Sequence, residues 1–172
     1  MLKRVCLCVV AVLFMGQVAD GQDLLKEYGD LMVGRWVGQV KLIADWPGTG
    51  KQGENVVGHF TVRWISDKKG LEDEWFGGNG HGKSVYAFDP ASKKIKQLGV
   101  DSGGTIAEWQ IWKENGKWVF EGGGCLADGT KYKGKGVVEV SDNGNTFAYV
   151  GTFTMDGKKM LDLNDVYKRA SH

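Results

Sequence analysis

Proline and cysteine are almost missing from this chain: two of the former and three of the latter in 172 residues. Scarce proline leaves backbone donors free for uninterrupted β ladders. Two of the cysteines, Cys6 and Cys8, sit in an N-terminal apolar stretch, so removal of that stretch leaves Cys125 alone and no internal disulfide possible. A domain of this length can rely on its hydrophobic core instead. Charge of a single sign is lacking too, with 22 basic against 21 acidic residues. That balance excludes a broad electrostatic pull toward nucleic acid or an anionic membrane. Histidine is confined to His59, His81 and His172, no two of them at ligand spacing, so no metal site is assigned.

Long hydrophobic runs are also absent. The apolar stretch Val5 to Met15 falls well short of the ~20 residues that a membrane-spanning helix needs. It follows Lys3 and Arg4 and precedes the small residues Ala19 and Gly21, which is the layout of a signal peptide. No cysteine follows it directly, as a lipoprotein would require. The expectation is a cleaved segment 1–21 and an exported, periplasmic or extracellular, domain spanning 22–172.

What the chain does contain is glycine and aromatics: 27 Gly, 7 Trp, 5 Tyr and 7 Phe. "DLLKEYGDLM" (23–32) spaces Leu24, Leu25, Tyr28, Leu31 and Met32 as a short helix does. Beyond it the pattern alternates in segments near 35–44, 55–66, 71–77, 83–88, 94–100, 105–113, 117–126, 130–140, 146–155 and 159–168. Separators such as "SDKKG", "ENGK", "ADG", "SDNGN" and "MDGK" supply the positive φ of tight hairpins. "GGNGHG" (77–82) opens no helix and lacks phosphate-loop spacing, and reads as a flexible loop at a barrel mouth. "EGGG" before Cys125 reads as a bulge or a tight strand crossing. The fold class predicted is all-β: an up-and-down antiparallel β-barrel of about ten strands with a short N-terminal helix.

Alternation assigns the faces. Phe60, Val62 and Trp64 share one side of their segment, with His59, Thr61 and Arg63 on the other. The same rule groups Tyr86 with Phe88, Trp118 with Phe120, and Tyr149 with Phe153, and adds Trp75 and Trp109. These eleven residues are the predicted ligand-lining set, because a sheet this aromatic on one face must close around it. Trp36, between Gly34 and Gly38, is assigned to closing the barrel's base.

The segment "GRWVG" (34–38) after a helical lead-in resembles the Gly-x-Trp start of lipocalin-like (calycin) barrels. With the centre "YAFDPASKKIKQLGVDSGG" (86–104) and the closing "LNDVYKR" (163–169), the chain resembles a bacterial lipocalin-like family of unknown function, and more weakly nitrobindin-type haem barrels. The resemblance implies a fold more than an activity. Nitrobindin-type barrels hold haem through a histidine in a late strand, and 159–168 contains none, so no cofactor is assigned.

No catalytic residue is assigned either. "GVDSGG" (99–104) echoes a serine-protease nucleophile segment, but the inserted Val100 breaks the match and Asp101-Ser102-Gly103-Gly104 reads as a hairpin turn. In "LEDE", Glu72 and Glu74 share a face opposite Leu71, Asp73 and Trp75. Two carboxylates about 7 Å apart would suit a glycosidase, yet a solvated outer face accounts for them. Lone Cys125 reads as packing. An outer-membrane barrel conflicts with the lysines of "SKKIKQLG" and "TKYKGKG". The expectation is therefore a barrel binding a small apolar or aromatic molecule, without stable membrane insertion or nucleic acid; the alternatives are a secreted enzyme or a haem-binding barrel on the same scaffold.

Overall fold

A computed structural model of the chain describes residues 21–170. The expected signal segment, apart from Gly21, and His172 lie outside the described residues. The first element, α1 (Gly21–Met32), buries Leu25, Tyr28, Gly29 and Met32, the single stripe that a 3.6-residue period presents. Gly34, at φ 137°, turns the chain sharply into the first strand, a conformation that only glycine adopts without strain.

Eleven strands follow: β1 (Gly34–Lys41), β2 (Asn55–Ile65), β3 (Gly70–Gly77), β4 (Gly80–Asp89), β5 (Lys94–Asp101), β6 (Ile106–Glu114), β7 (Lys117–Cys125), β8 (Lys131–Ser141), β9 (Thr146–Met155), β10 (Lys158–Lys159) and β11 (Leu163–Arg169). Each of β1 to β9 pairs antiparallel with its successor, β9 pairs with β11, and β11 returns to β1. The ring of ten long strands is closed, and β10 is a two-residue appendage on β9. Closure removes every open edge. The predicted segment 159–168 splits in two because residues 160–162 leave the ladder, the Leu161 amide donating to the Ile43 carbonyl, before β11 takes up pairing on the same side of β9.

The two ends of the barrel differ. Short turns at 66–69, 90–93, 115–116 and 142–145 share one end with α1, which packs against β2, β4 and β5. Arg169 ties this end together: its guanidinium donates to the carbonyls of Val33 at 2.6 Å and Leu31 at 2.9 Å and lies 4.2 Å from the Trp36 ring centroid. These carbonyls sit at the helix end, where no helical donor remains to satisfy them.

The opposite end carries the long connection 42–54, which folds inward. Leu42, Ile43 and Ala44 are buried, and the Trp46 ring meets Tyr132 edge-on at 5.0 Å. Predicted to continue β1 as far as 44, these apolar residues instead leave the ladder after Lys41 to cover the rim. "GGNGHG" is likewise no flexible loop: Gly77 pairs with Gly80 across a two-residue turn, and β4 begins three residues earlier than predicted. Positive φ at Gly78 permits that tightness. At "EGGG" there is no bulge, since β7 pairs in continuous register with both neighbours. The glycines are needed because the strands crowd: a Cβ on Gly123 would lie 2.1 Å from the Tyr132 carbonyl oxygen.

Candidate functional site

Inside the barrel is a cavity of about 300 Å³, near the lower end of small-molecule pockets. Its walls are mainly aromatic. Of the eleven predicted lining residues, Phe60, Trp75, Tyr86, Trp109, Phe120, Tyr149 and Phe153 stand on it. Three of them form an edge-to-face chain: Trp109 lies 5.9 Å from Phe120, and Phe120 5.6 Å from Tyr149 at 88°.

The remaining four do not line it. Val62, Trp64, Phe88 and Trp118 point inward as alternation requires, but near the end that α1 fills. Trp64 lies over Gly29, Phe88 over Gly21, and Trp118 meets Tyr28 edge-on at 5.0 Å. Two glycines in the helix admit those rings, so space that the strand pattern leaves open is occupied by α1. Trp36 is fully buried at this end, its indole N–H donating to the Met32 carbonyl at 2.7 Å.

Inward alternation also buries polar groups that the sequence reading passed over. Asp73 lies between Leu71 and Trp75 on β3, faces the cavity and is only 8% exposed. Its Oδ2 accepts a hydrogen bond from the Tyr86 hydroxyl, and the Ser84 side chain and amide lie within hydrogen-bonding reach of the same carboxyl. Burial raises its pKa above the ordinary carboxylate value, opposed by the Tyr86 hydrogen bond and by Ser84, its register partner on β4. Asp165, between Leu163 and Tyr167 on β11, is equally buried, and its Oδ1 has no partner among the described residues. Desolvation pushes it up to about 6, with the Lys41 amide working the other way.

Between the two carboxylates runs an arc of tyrosines. Tyr28 from α1, Tyr86, Tyr149 and Tyr167 all line the cavity. Burial, reinforced by the nearby acids, raises every one of their pKa values, so each remains a neutral phenol at ordinary pH. Gln97 completes the polar wall and donates to Ser84 Oγ at 3.0 Å. The interior is thus aromatic in bulk, with one carboxylate on its wall and neutral hydroxyls around it.

The rim is thin on one side. Val40, Leu42, Thr49 and Val56 line the upper cavity beside Gly58 and Gly77. Gly58 and Gly77 face each other in register, and a Cβ on Gly77 would meet nothing within 4 Å. Val40 and Tyr167 cover Gly58, but the space beside Gly77 is open and leaves a window there, bordered by exposed His59 and Phe76.

The other sequence candidates stand apart from the lumen. Glu72 and Glu74 lie on the outer face, paired with Arg63 and Lys83 respectively. Asp101 to Gly104 form a turn in which Asp101 Oδ1 accepts from the amides of Gly103 and Thr105, both at 2.9 Å. The Ser102 hydroxyl accepts from the His81 amide at 3.1 Å and has no base beside it among the described hydrogen bonds. Cys125 is half-buried at the end of β7, and His81 stacks on Phe76 outside the barrel. No group of three potential metal ligands occurs among the described residues.

The barrel is similar to a solved structure, the S-type phycobiliprotein lyase CPES from Guillardia theta. The TM-score is 0.54 with 15% identity, over 88% of this chain and 96% of the lyase. At that identity the likeness is one of fold: a closed, lipocalin-like antiparallel barrel. No protein-family model matches the chain, and no curated protein matches it by sequence.

Proposed function

We propose that this protein binds a small, flat, largely apolar molecule inside its barrel, and that it does so as an exported protein. The observation that carries the reading is the cavity itself. Aromatic rings this numerous could have filled the lumen, yet about 300 Å³ stays open between Trp75, Trp109, Phe120 and Tyr149. Open aromatic volume with a few convergent polar groups is the usual form of a ligand pocket. The structural neighbour is named as a phycobiliprotein lyase, which supports a barrel of this shape as a scaffold for small-molecule work. Export rests on the basic start, apolar stretch and small residues before Gln22.

No catalytic step is assigned. The described hydrogen bonds bring no nucleophile and base together in the lumen; the polar side chains on it are four tyrosines, Gln97 and Asp73, with Thr49 and His59 at the rim. A guest stacked against Trp75 or Trp109 should quench tryptophan emission. Titrating the purified domain with a panel of aromatic hydrocarbons, while recording emission and native mass, should give saturable quenching and a one-to-one complex. Flat titrations and a bare apo mass across the panel would remove the binding reading.

A further inference from the structure

Four phenols stand on the cavity wall, and their hydrogen-bonding capacity is unevenly used. The Tyr86 hydroxyl donates to Asp73, and no other tyrosine hydroxyl donates among the described side-chain hydrogen bonds. Tyr28 from α1 and Tyr149 from β9 bring their hydroxyls within hydrogen-bonding reach of each other. Each carries one proton, so even a bond closed between them engages one proton of two. The unused proton faces open space. Among the described residues, the polar side-chain atoms sealed without a partner are Oδ1 of Asp73, Oδ1 of Asp165 and Oγ1 of Thr105; no tyrosine oxygen is among them. Tyr149 is only half-buried although it stands inside the barrel, so what it exposes it exposes to the cavity.

We infer that the barrel selects a neutral aromatic guest bearing a carbonyl oxygen, which accepts the unused proton of the Tyr28–Tyr149 pair. This rests on the lumen-binding reading and narrows it to one ligand class. Burial holds both phenols neutral, so the pair offers a donor without a charge. A hydroxyl that accepts one hydrogen bond becomes a better donor of the next, so the contact between the tyrosines strengthens the bond to the guest. Phe120 lies edge-on to Tyr149 and Trp109 edge-on to Phe120, a wall for the flat body of a guest whose oxygen reaches the pair. A carbonyl gives up water on entry, and a fixed donor restores the bond it loses. A hydrocarbon would leave the proton unmet. An anion would find Asp73 on the wall and, among the described residues, no lysine or arginine, so its desolvation would go uncompensated.

Three probes of one shape test this by calorimetry: 2-acetylnaphthalene, its hydrocarbon isostere 2-isopropenylnaphthalene, and 2-naphthoate. The ketone should bind the wild type at least about tenfold tighter than the carboxylate. In the double variant Tyr28→Phe/Tyr149→Phe, which keeps both rings, the ketone should weaken about tenfold while the hydrocarbon binds at least as tightly as before. Both hydroxyls are removed because either one alone can supply the proton. A second readout needs no variant: the carbonyl stretch of the ketone bound to the wild type should fall below its frequency in hexane, as that of a hydrogen-bonded carbonyl does. A hexane-like stretch overturns the inference. So does a ketone unaffected by the double substitution, a hydrocarbon that weakens in step with it, or a carboxylate that binds as tightly as the ketone. In each of those cases the apolar-lumen reading survives, and if neither ketone nor hydrocarbon binds the wild type, both fall.

Discussion

At the scale of single residues, the sharpest consequence of this architecture is that two aspartates are carried indoors by the alternation that carries the aromatics. Asp165 has no ligand role assigned, so its burial should appear as a stability cost. Its carboxyl stands at about 6 in the folded protein against an ordinary 3.8. At low pH it is protonated in both states and contributes no penalty. As pH rises through that window the unfolded chain gives up its proton first, the folded state binds the excess proton, and stability falls. Above about 6 the full penalty stands, on the order of 3 kcal/mol at ~1.4 kcal/mol per unit. Asp165→Asn should therefore stabilise the protein by roughly 1–3 kcal/mol at pH 8, the remainder going to its own buried amide. The gain should shrink toward pH 4. Urea unfolding at several pH values checks this, and a variant weaker than wild type at pH 8 would mean that the carboxylate has a partner in solution.

At the scale of elements, α1, the connection 42–54 and the β2–β3 hairpin decide what the barrel can admit. The helix fills one end with Tyr28 and makes room, through Gly21 and Gly29, for Phe88 and Trp64. The connection covers much of the other end. What remains is the glycine window at Gly77, open where its register partner Gly58 is covered by Val40 and Tyr167. Gly77 has an ordinary backbone conformation and open space beside it, so a larger residue can be accommodated there without strain. Gly77→Phe should fold with a melting temperature close to wild type and close the window. The association rate of a lumen ligand should drop about tenfold, with a smaller change in affinity. Stopped-flow quenching measures it; an unchanged rate would place the entrance elsewhere on the rim.

At the scale of the whole molecule, the outer surface argues about environment. β8 sends Lys131, Lys133 and Lys135 outward in succession, and Lys83, Glu72 and Glu74 stand outside on the hairpin opposite. A lipid-facing barrel needs a continuous apolar belt there, and charge at its middle costs roughly 2–4 kcal/mol per lysine. Residues 22–172 produced without the leader should therefore sediment as a water-soluble protein with a β far-UV spectrum. The full chain expressed in a bacterium should be recovered from the exported fraction with a mass starting at Gln22. A requirement for detergent would overturn the first expectation, and an intact leader the second.

Period-two alternation made the ring of strands and the inward set legible in advance, because a β face is written locally: residues two apart must share a side. Turn chemistry marked the hairpins for the same reason, since a positive φ is a property of one or two residues. Asp73 was visible in that pattern beside Leu71 and Trp75, and Asp165 beside Leu163 and Tyr167, but a local rule places a side chain without saying whether anything meets it. Which rings line a cavity and which pack against a helix was decided only in three dimensions. Val62, Trp64, Phe88 and Trp118 obey the same alternation as Phe60 and Trp109, and differ solely in the end of the barrel at which they stand. That difference comes from α1, whose docking depends on strands far along the chain and on Arg169 at its far end. Composition and spacing specify a closed aromatic barrel; where it stays open depends on contacts between segments that no short window of sequence contains.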